Sequence, residues 1–292
     1  MSRRLPAAGS ALLALLAVAA CAPADSNDEA SSAGSSSSSS AASCAPADLD
    51  TLTSGTLTIG TDSPAYSPWF EDNDPANGKG YESAVAYAVA KQLGYTDDQV
   101  KWSTVTFNAA VQPGKKAFDF DINQFSITDE RKEAVDFSSG YYDVAQAVVT
   151  VKGSKAAGAT SIADLKGLKL GAQVGTTSYD VIESQIAPTS DPSVFDDNDK
   201  AKLALNNGQI DALVVDLPTA LYLASAELDD GVVVGQLPQT GDAQEQFGLL
   251  LAKNSSLTDC VTQAVDALRE DGTLETLETE YLTDSAGAPE LK

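Results

Sequence analysis

Arg131 is the residue whose type and position point most directly to chemistry. Thr128 has the residue type of a helix N-cap, which would place Asp129, Glu130 and Arg131 in the first helical turn. A cation there opposes the helix dipole at a cost of about 0.3–1 kcal/mol, and a bound anion would reverse that penalty. Since a guanidinium can hold a carboxylate by two parallel hydrogen bonds, two interpretations stay open: a carboxylate site, or a solvated arginine paired with Glu130 or Glu133.

Asp216 and the pair Thr176–Thr177 stand at two further predicted helix starts. Asp216 follows the apolar run at 213–215 and precedes Leu217-Pro218, which is ordinary helix initiation. The carboxyl end of a strand is also where α/β sheets bind ligands. Thr176 and Thr177 follow a predicted strand and a glycine, where free backbone N–H groups suit a carboxylate. Helix capping and ligand contact therefore both remain open for these residues.

The elements that would position these side chains alternate between strands and helices. A strand at 56–60 precedes a helix at 82–93, and a strongly β-branched strand is predicted at 144–151. A second series of strands and helices begins at residue 162. Such alternation predicts parallel sheets covered on both faces, and two consecutive series predict two α/β lobes with a ligand cleft between them.

Composition excludes several classes of function. Lys and Arg total 18 against 42 Asp and Glu, which gives a net charge of -24. Nucleic acid is excluded as a partner, because phosphate binding needs a basic face. The chain has no histidine, so no histidine can serve in a catalytic triad, as a general base or as a metal ligand. Two acidic runs, at 72–74 and 196–199, lack the ligand spacing of a calcium loop. We predict no metal site and no cofactor.

The N-terminus has the features of an export signal. Two arginines precede an apolar run at 11–20 that is too short to span a bilayer, and Cys21 follows small residues. This arrangement resembles the bacterial lipobox, which predicts a signal peptide at 1–20 and a membrane anchor on a lipidated Cys21. An ordinary cleaved signal with an unrelated cysteine is the alternative. Residues 21–43 are rich in Ser and Ala and predict a disordered tether.

Cys44 and Cys260 are the two cysteines left after Cys21. Export places them in an oxidising compartment, where an even number favours a disulfide. A bridge would join the start of the globular part to a predicted C-terminal helix. Free buried thiols are the alternative.

Several motifs occur together in order. They are IGTD at 59–62 with YSPW at 66–69, GYE at 80–82, FD at 118–119 with SITDER at 126–131, VDFS at 135–138, YY at 141–142, and QVGTT at 173–177 with DA at 211–212. This set resembles the family 3 (polar amino acid type) extracellular solute-binding proteins of bacterial ABC importers. The similarity covers about residues 50–283.

The resemblance implies a periplasmic-binding-protein type II fold of two α/β lobes. Lobe 1 would comprise 44–148 and 243–292, and lobe 2 would comprise 149–242, with hinge strands near 147–152 and 236–247. It implies a monomeric extracytoplasmic protein that captures an amino acid and delivers it to an ABC permease. Two alternatives are a sensor for a membrane receptor and a dehydratase-like enzyme. For an enzyme, Glu82, Asp119 and Asp121 are the available acids, but no nucleophile has an adjacent base.

The resemblance also assigns roles to the candidate residues. Arg131 would hold the ligand α-carboxylate and Asp216 the α-ammonium, while Ser126 and Thr128 would flank the arginine as further contacts. Simple capping is the alternative for these last two residues.

Five residues are candidates for the ligand side chain. Tyr66, Trp69 and Phe107 would be apolar walls, and core packing is the alternative, most of all for Trp69. Asp62 and Gln124 would contact a polar end, although Asp62 suits a solvated loop equally well. Gln124 offers a donor and an acceptor, and no dense acidic cluster is evident, so we expect a polar, uncharged amino acid.

Overall fold

The structure is a computed structural model that describes residues 43–239, 244–282 and 288–292. The predicted signal peptide, Cys21 and all but the last residue of the predicted tether lie outside the described residues. Two five-stranded sheets organise the rest. No helix within these described ranges has the length and apolar character needed to span a bilayer.

The first sheet has the strand order β2-β1-β3-β10-β4. Its strands are β1 Leu57–Thr61, β2 Val100–Thr104, β3 Phe120–Asp121, β4 Val135–Asp143 and β10 Gln246–Ala252. The helices of this lobe are α1 Tyr81–Gln92, α2 Phe107–Val111, α3 Asp129–Ala134, α8 Thr258–Glu270 and α9 Thr273–Leu282. In α8 the buried residues recur at helical spacing, which turns one face of the helix to the core.

The second sheet has the order β7-β6-β8-β5-β9. Its strands are β5 Gln146–Val151, β6 Leu170–Gln173, β7 Ser193–Phe195, β8 Ala212–Asp216 and β9 Gly231–Gln236. Its helices are α4 Ile162–Leu165, α5 Thr177–Val181, α6 Asn198–Asn206 and α7 Leu217–Tyr222. A turn of π-helix at 182–186 extends α5, and another at 223–227 extends α7. Ala212 and Val214 pack in one core cluster and Leu213 and Val215 in another, so β8 is apolar on both faces.

Both sheets are mixed rather than wholly parallel, which corrects the prediction of parallel sheets. In the first sheet β10 runs antiparallel to β3 and β4, and in the second β5 runs antiparallel to β8 and β9. Each of these two strands enters its sheet directly from the other lobe. Within the described residues neither strand follows a helix, whereas a parallel neighbour requires a crossover connection that is usually helical.

The chain passes between the lobes at two adjacent segments. The first lies between β4 and β5, at residues 144–145, and the second lies between β9 and β10. The segments are joined where the Val144 N–H donates to the Glu245 carbonyl at 2.9 Å. Ala147 and Val148 already pair with β8 and β9. The first crossing therefore precedes the predicted boundary at 148, because backbone pairing with the second sheet starts at Gln146.

The C-terminal residues 288–292 pack on the second lobe, whereas the sequence predicted all of 243–292 in the first. The Leu291 N–H donates to the Gln236 carbonyl at 2.9 Å, and the Gln236 N–H donates to Pro289 at the same distance. The Leu291 side chain is buried in a core cluster of the second lobe. Burial of this leucine and pairing beside β9 account for the difference.

Cys44 and Cys260 form a disulfide bond, as predicted, with their Cα atoms 5.5 Å apart. The bond spans 216 residues of sequence, and Cys260 lies on the buried face of α8. It therefore ties the beginning of the first lobe to its C-terminal helix.

Reduction of this disulfide is expected to lower the free energy of unfolding by about 2–5 kcal/mol, because the unfolded chain regains the freedom of a long closed loop. Urea unfolding with and without dithiothreitol measures the difference. A Cys44→Ser variant serves as the control, since its unfolding should not respond to reductant. An unchanged urea midpoint in a sample with two titrated free thiols would contradict the expectation.

Candidate functional site

A cavity of about 240 Å³ lies between the two lobes. Residues that follow strands of both sheets line it, as expected for ligands of α/β sheets. Most of the predicted ligand-contacting residues are on its wall, namely Asp62, Tyr66, Phe107, Gln124 and Arg131 from the first lobe and Thr176, Thr177 and Asp216 from the second. Three predicted residues are not: Trp69, Ser126 and Thr128.

The Arg131 guanidinium bridges the two lobes. Its Nη1 donates to the Ser126 carbonyl at 2.7 Å, and its Nη2 donates to the Gly175 carbonyl of the second lobe at 3.0 Å. Its central carbon lies 5.3 Å from the centroid of the Phe107 ring. Among the described residues it forms no ion pair with Glu130 or any other acid. Burial lowers its pKa, and its remaining N–H groups are available to an anion in the cavity.

Thr128 and Ser126 support the arginine without lining the cavity. The Thr128 side chain caps α3 by accepting from the Arg131 N–H at 3.2 Å. The buried Ser126 hydroxyl lies 3.1 Å from the hydroxyl of Thr177 in the second lobe. In this conformation the capping interpretation holds for Thr128, and Ser126 contributes its carbonyl to Arg131 and its hydroxyl to the contact between lobes.

Asp216 ends β8 and faces the cavity, and its side chain does not cap α7. Its Oδ1 accepts a hydrogen bond from Gln146 Nε2 at 2.8 Å. Burial and then the charge of Glu245 raise the pKa of Asp216 to about 8, although the Gln146 hydrogen bond and the charge of Arg131 act in the opposite direction. A positively charged group beside Asp216 would therefore supply the counter-charge that this carboxylate lacks.

Gln146 is a site residue that sequence reasoning missed. It is buried, its Nε2 holds Asp216, and its Oε1 accepts from the Ser178 hydroxyl at 2.6 Å. These bonds fix the orientation of the aspartate. The sequence gives one indication of this role, because Gln146 is an amide residue directly before the apolar run at 147–149.

Thr176 and Thr177 open α5 at the wall of the cavity. The Thr176 hydroxyl accepts from the Tyr179 N–H at 3.3 Å and donates to the Gln173 carbonyl at 2.8 Å, so it caps the helix. Thr177 Oγ1 lies between the Ser126 hydroxyl and Gln146 Nε2, which is 3.4 Å away. Capping and a place on the cavity wall therefore coexist at this helix start.

Trp69 does not line the cavity, which corrects the prediction that it forms an apolar wall. Its side chain is 0% exposed. It packs edge to face against Tyr81, Tyr142 and Phe247. Its Nε1 donates to the hydroxyl of Thr219 in α7 at 2.9 Å. The aromatic core of the first lobe holds Trp69, and its single polar atom contacts the second lobe.

The aromatic and acidic candidates have distinct surroundings. Phe107 stacks on Phe125 with the ring centroids 4.8 Å apart. Asp62 accepts from the backbone N–H groups of Ser63 at 2.7 Å and Phe107 at 3.0 Å. The Tyr66 hydroxyl is buried and has no hydrogen-bond partner among the described residues. Burial raises its pKa, and nearby aspartates, Asp199 first, raise it further.

Gln124 is held by the buried carboxylate of Glu82. Glu82 Oε1 accepts from the Gln124 backbone N–H at 2.7 Å and from the Tyr141 hydroxyl, and its Oε2 accepts from Gln124 Nε2. Burial raises the pKa of Glu82 to about 7. Glu82 is 0% exposed and does not line the cavity, so it orients Gln124 rather than facing a substrate.

The other two acids considered for catalysis also lie off the cavity wall. Asp119 accepts from the backbone N–H groups of Leu52 and Thr58, each at 2.7 Å, and so joins two chain segments. Asp121 is 0% exposed, and its carboxyl oxygens have no hydrogen-bond partner among the described residues. Neither carboxyl is placed to exchange a proton with a molecule in the cavity.

The chain is similar in sequence to a family of known proteins. Residues 57–284 match the family model described as bacterial extracellular solute-binding proteins, family 3. The L-cystine-binding protein TcyJ of Escherichia coli (strain K12) is 31% identical over 230 residues, which cover 78% of this chain and 82% of that protein. The arginine-binding extracellular protein ArtP of Bacillus subtilis (strain 168) is 29% identical, over 78% of this chain and 86% of ArtP.

A solved structure shares the fold. An ancestral arginine-binding protein bound to arginine superimposes with a TM-score of 0.64 and is 33% identical. The similarity covers 78% of this chain and 98% of that protein.

Proposed function

The chain belongs to family 3 of the bacterial extracellular solute-binding proteins, and from that premise we propose that it captures an amino acid between its lobes and delivers it to the permease of an ABC importer. The observation that carries the proposal is the pairing of Arg131 and Asp216 on one small cavity. Arg131 comes from the first lobe and Asp216 from the second. A guanidinium and a carboxylate facing one cavity are complementary to the α-carboxylate and α-ammonium of an amino acid.

The site also suggests how binding is coupled to closure. Hydrogen bonds between the lobes include those from Arg131 to the Gly175 carbonyl, between the Ser126 and Thr177 hydroxyls, and from Trp69 to Thr219. A ligand held by Arg131 and Asp216 together adds contacts that exist only when the lobes are close. It therefore shifts the population toward the closed form, which the permease would receive.

Location and anchoring are part of the proposal. The family is extracellular, and the Cys44–Cys260 disulfide suits an oxidising compartment. We place the protein outside the cytoplasmic membrane as a monomer, held there by acyl chains on Cys21. If labelled palmitate were incorporated into a Cys21→Ser variant as much as into the wild-type chain, the proposal that acyl chains on Cys21 anchor the protein would be contradicted.

Two other functions have less support. For an enzyme, the acids weighed as catalysts, Glu82, Asp119 and Asp121, all lie off the cavity wall. The relatives above are named as binding proteins. A sensor for a membrane receptor would use the same ligand site. The two functions are distinguished by the membrane protein that copurifies with the closed form, which is a receptor for a sensor and a permease for an importer component.

A thermal-shift screen of residues 44–292 against the twenty amino acids tests the function. A ligand at 100 times its Kd adds about 2.7 kcal/mol to stability, which corresponds to about 5–10 °C in Tm for a domain of this size. We expect a shift of this size with at least one polar amino acid. Mass spectrometry of the released ligand should return it unchanged. A screen without any shift, or a chemically altered ligand, would contradict the proposal.

A further inference from the structure

We propose that the cavity selects an amino acid with a positively charged side chain, such as a guanidinium or a primary amine. This inference rests on the proposed function, because it concerns the side-chain part of the same cavity. The sequence led us to expect a ligand that is polar and uncharged. The inference keeps a polar ligand but replaces the uncharged side chain by a positively charged one. The reason is that the fold brings together acidic residues that lie far apart in the chain.

The charges on the cavity wall are unbalanced. Apart from the two residues assigned to the ligand backbone, the charged residues of the wall are Asp62, Asp196, Asp197 and Lys200. Lys200 forms ion pairs with Asp196 at 3.0 Å and Asp197 at 2.8 Å. Three carboxylates therefore face one ammonium group. A zwitterionic ligand backbone does not change this balance, whereas a positively charged ligand side chain would offset the unpaired carboxylate.

Asp62 is the carboxylate without a cationic partner. Within the described part of the chain it accepts from the backbone N–H groups of Ser63 and Phe107 and forms no ion pair. A carboxylate has about four acceptor positions, so two of them remain for a ligand. Charge-assisted bonds to a guanidinium or an ammonium are the strongest that such a group can make.

The cavity wall also carries polar atoms that no hydrogen bond within the described ranges uses. The Tyr66 hydroxyl and the Asn198 side-chain oxygen line the cavity, and both are buried without a hydrogen-bond partner in the described ranges. Gln124 donates one side-chain N–H to Glu82, which leaves its carbonyl oxygen and its second N–H for a ligand. The unused oxygen atoms of this wall can accept hydrogen bonds from a ligand side chain that carries several donors.

Another carboxyl of the first lobe is coupled to the charge of Asp62, although it lies off the cavity wall. Asp121 is fully buried, and after burial itself the charges of Glu82 and Asp62 raise its pKa. Lys116 opposes this effect, but its ammonium donates to backbone carbonyls, including that of Ala110 at 2.6 Å. A cation bound at Asp62 would offset the effect of the Asp62 charge on Asp121.

Binding of L-arginine and L-citrulline to the purified chain, measured by calorimetry, tests the inference. The two amino acids have nearly the same shape and differ by one positive charge. We expect arginine to bind at least about tenfold more tightly than citrulline, since hydrogen bonds to charged groups are the stronger class. In Asp62→Asn the affinity for arginine should fall by about 10–100-fold, while that for citrulline changes by less than about threefold.

Two controls make the result specific. Asp98→Asn removes an exposed charge of the same lobe, away from the cavity, and should change neither affinity. Tyr66→Phe removes only the unpartnered hydroxyl and should weaken arginine binding several-fold without altering the fold, as thermal melting would verify. It provides a second measurement if Asp62→Asn proves unstable.

The outcomes separate this inference from the proposed function. Equal affinity for arginine and citrulline, or tight binding of a neutral amino acid with no binding of arginine or lysine, would leave the proposed function intact and overturn the charge selectivity. Failure of every amino acid to bind would overturn both.

Discussion

Replacing Arg131 by alanine is expected to weaken amino acid binding by about 30-fold to 5,000-fold, which corresponds to the loss of about 2–5 kcal/mol. The change removes the donor that faces the ligand carboxylate and leaves that carboxylate without a counter-charge. It also removes the hydrogen bond to the Gly175 carbonyl that joins the lobes. Isothermal titration with the ligand found in the screen measures the loss.

The protein should remain folded after this change. The Thr128 cap of α3 accepts from the backbone N–H of residue 131, which alanine retains. Arg131→Lys should give an intermediate affinity, because an ammonium keeps the charge but cannot form two parallel hydrogen bonds.

Arg269→Ala is the matched control, since Arg269 also donates to a backbone carbonyl, that of Gly140, outside the cavity. Unchanged affinity in Arg131→Ala, or an equal loss in Arg269→Ala, would show that Arg131 is not the carboxylate clamp.

The second large effect is a dependence of affinity on pH that originates at Asp216. The carboxylate must be ionised to hold an ammonium group, yet its pKa in the free protein is raised to about 8. Affinity should therefore fall as the pH decreases below about 8, by about tenfold per pH unit, and binding in that range should release about one proton. Titrations from pH 6 to 9 in buffers of different ionisation enthalpy measure both quantities.

Asp216→Asn isolates this effect. The variant should bind weakly at pH 8.5 and lose the pH dependence, because Glu82 and Asp121, which are buried carboxyls with raised pKa values, both lie off the cavity wall. Asp98→Asn serves as the control with an unaltered profile. A wild-type affinity that is constant between pH 6 and 9, or a pH dependence that survives in Asp216→Asn, would rule out this role for Asp216.

The same pKa predicts how the free protein responds to pH. A folded carboxyl whose pKa lies above its unfolded value, 3.8 for Asp216, binds its proton more tightly in the folded state. That stabilisation is complete below the unfolded pKa and is lost as the pH rises through about 8. For Asp216, ligand affinity and the stability of the free protein should thus respond to pH in opposite directions.

The sequence alone predicted the elements and much of the chemistry. The apolar run at 212–215 became a strand buried on both faces, the two cysteines paired, and the helix after Thr128 carried Arg131 to the cavity. These features depend on local spacing, side-chain type and the oxidising environment, all of which can be read along the chain. The ordered motifs similarly indicated the family.

Tertiary structure decided between interpretations that the sequence left open. It placed Trp69 in the core and Asp62 on the cavity wall, although both lie in the same short segment. It turned Gln146 toward Asp216 and brought Asp62 and Asp197 from opposite lobes onto one wall, where their charges add. The net charge of a cavity and the hydrogen bonds that its wall leaves unmade depend on groups that are distant in sequence. Both are therefore defined only once the two lobes have folded and lie against each other.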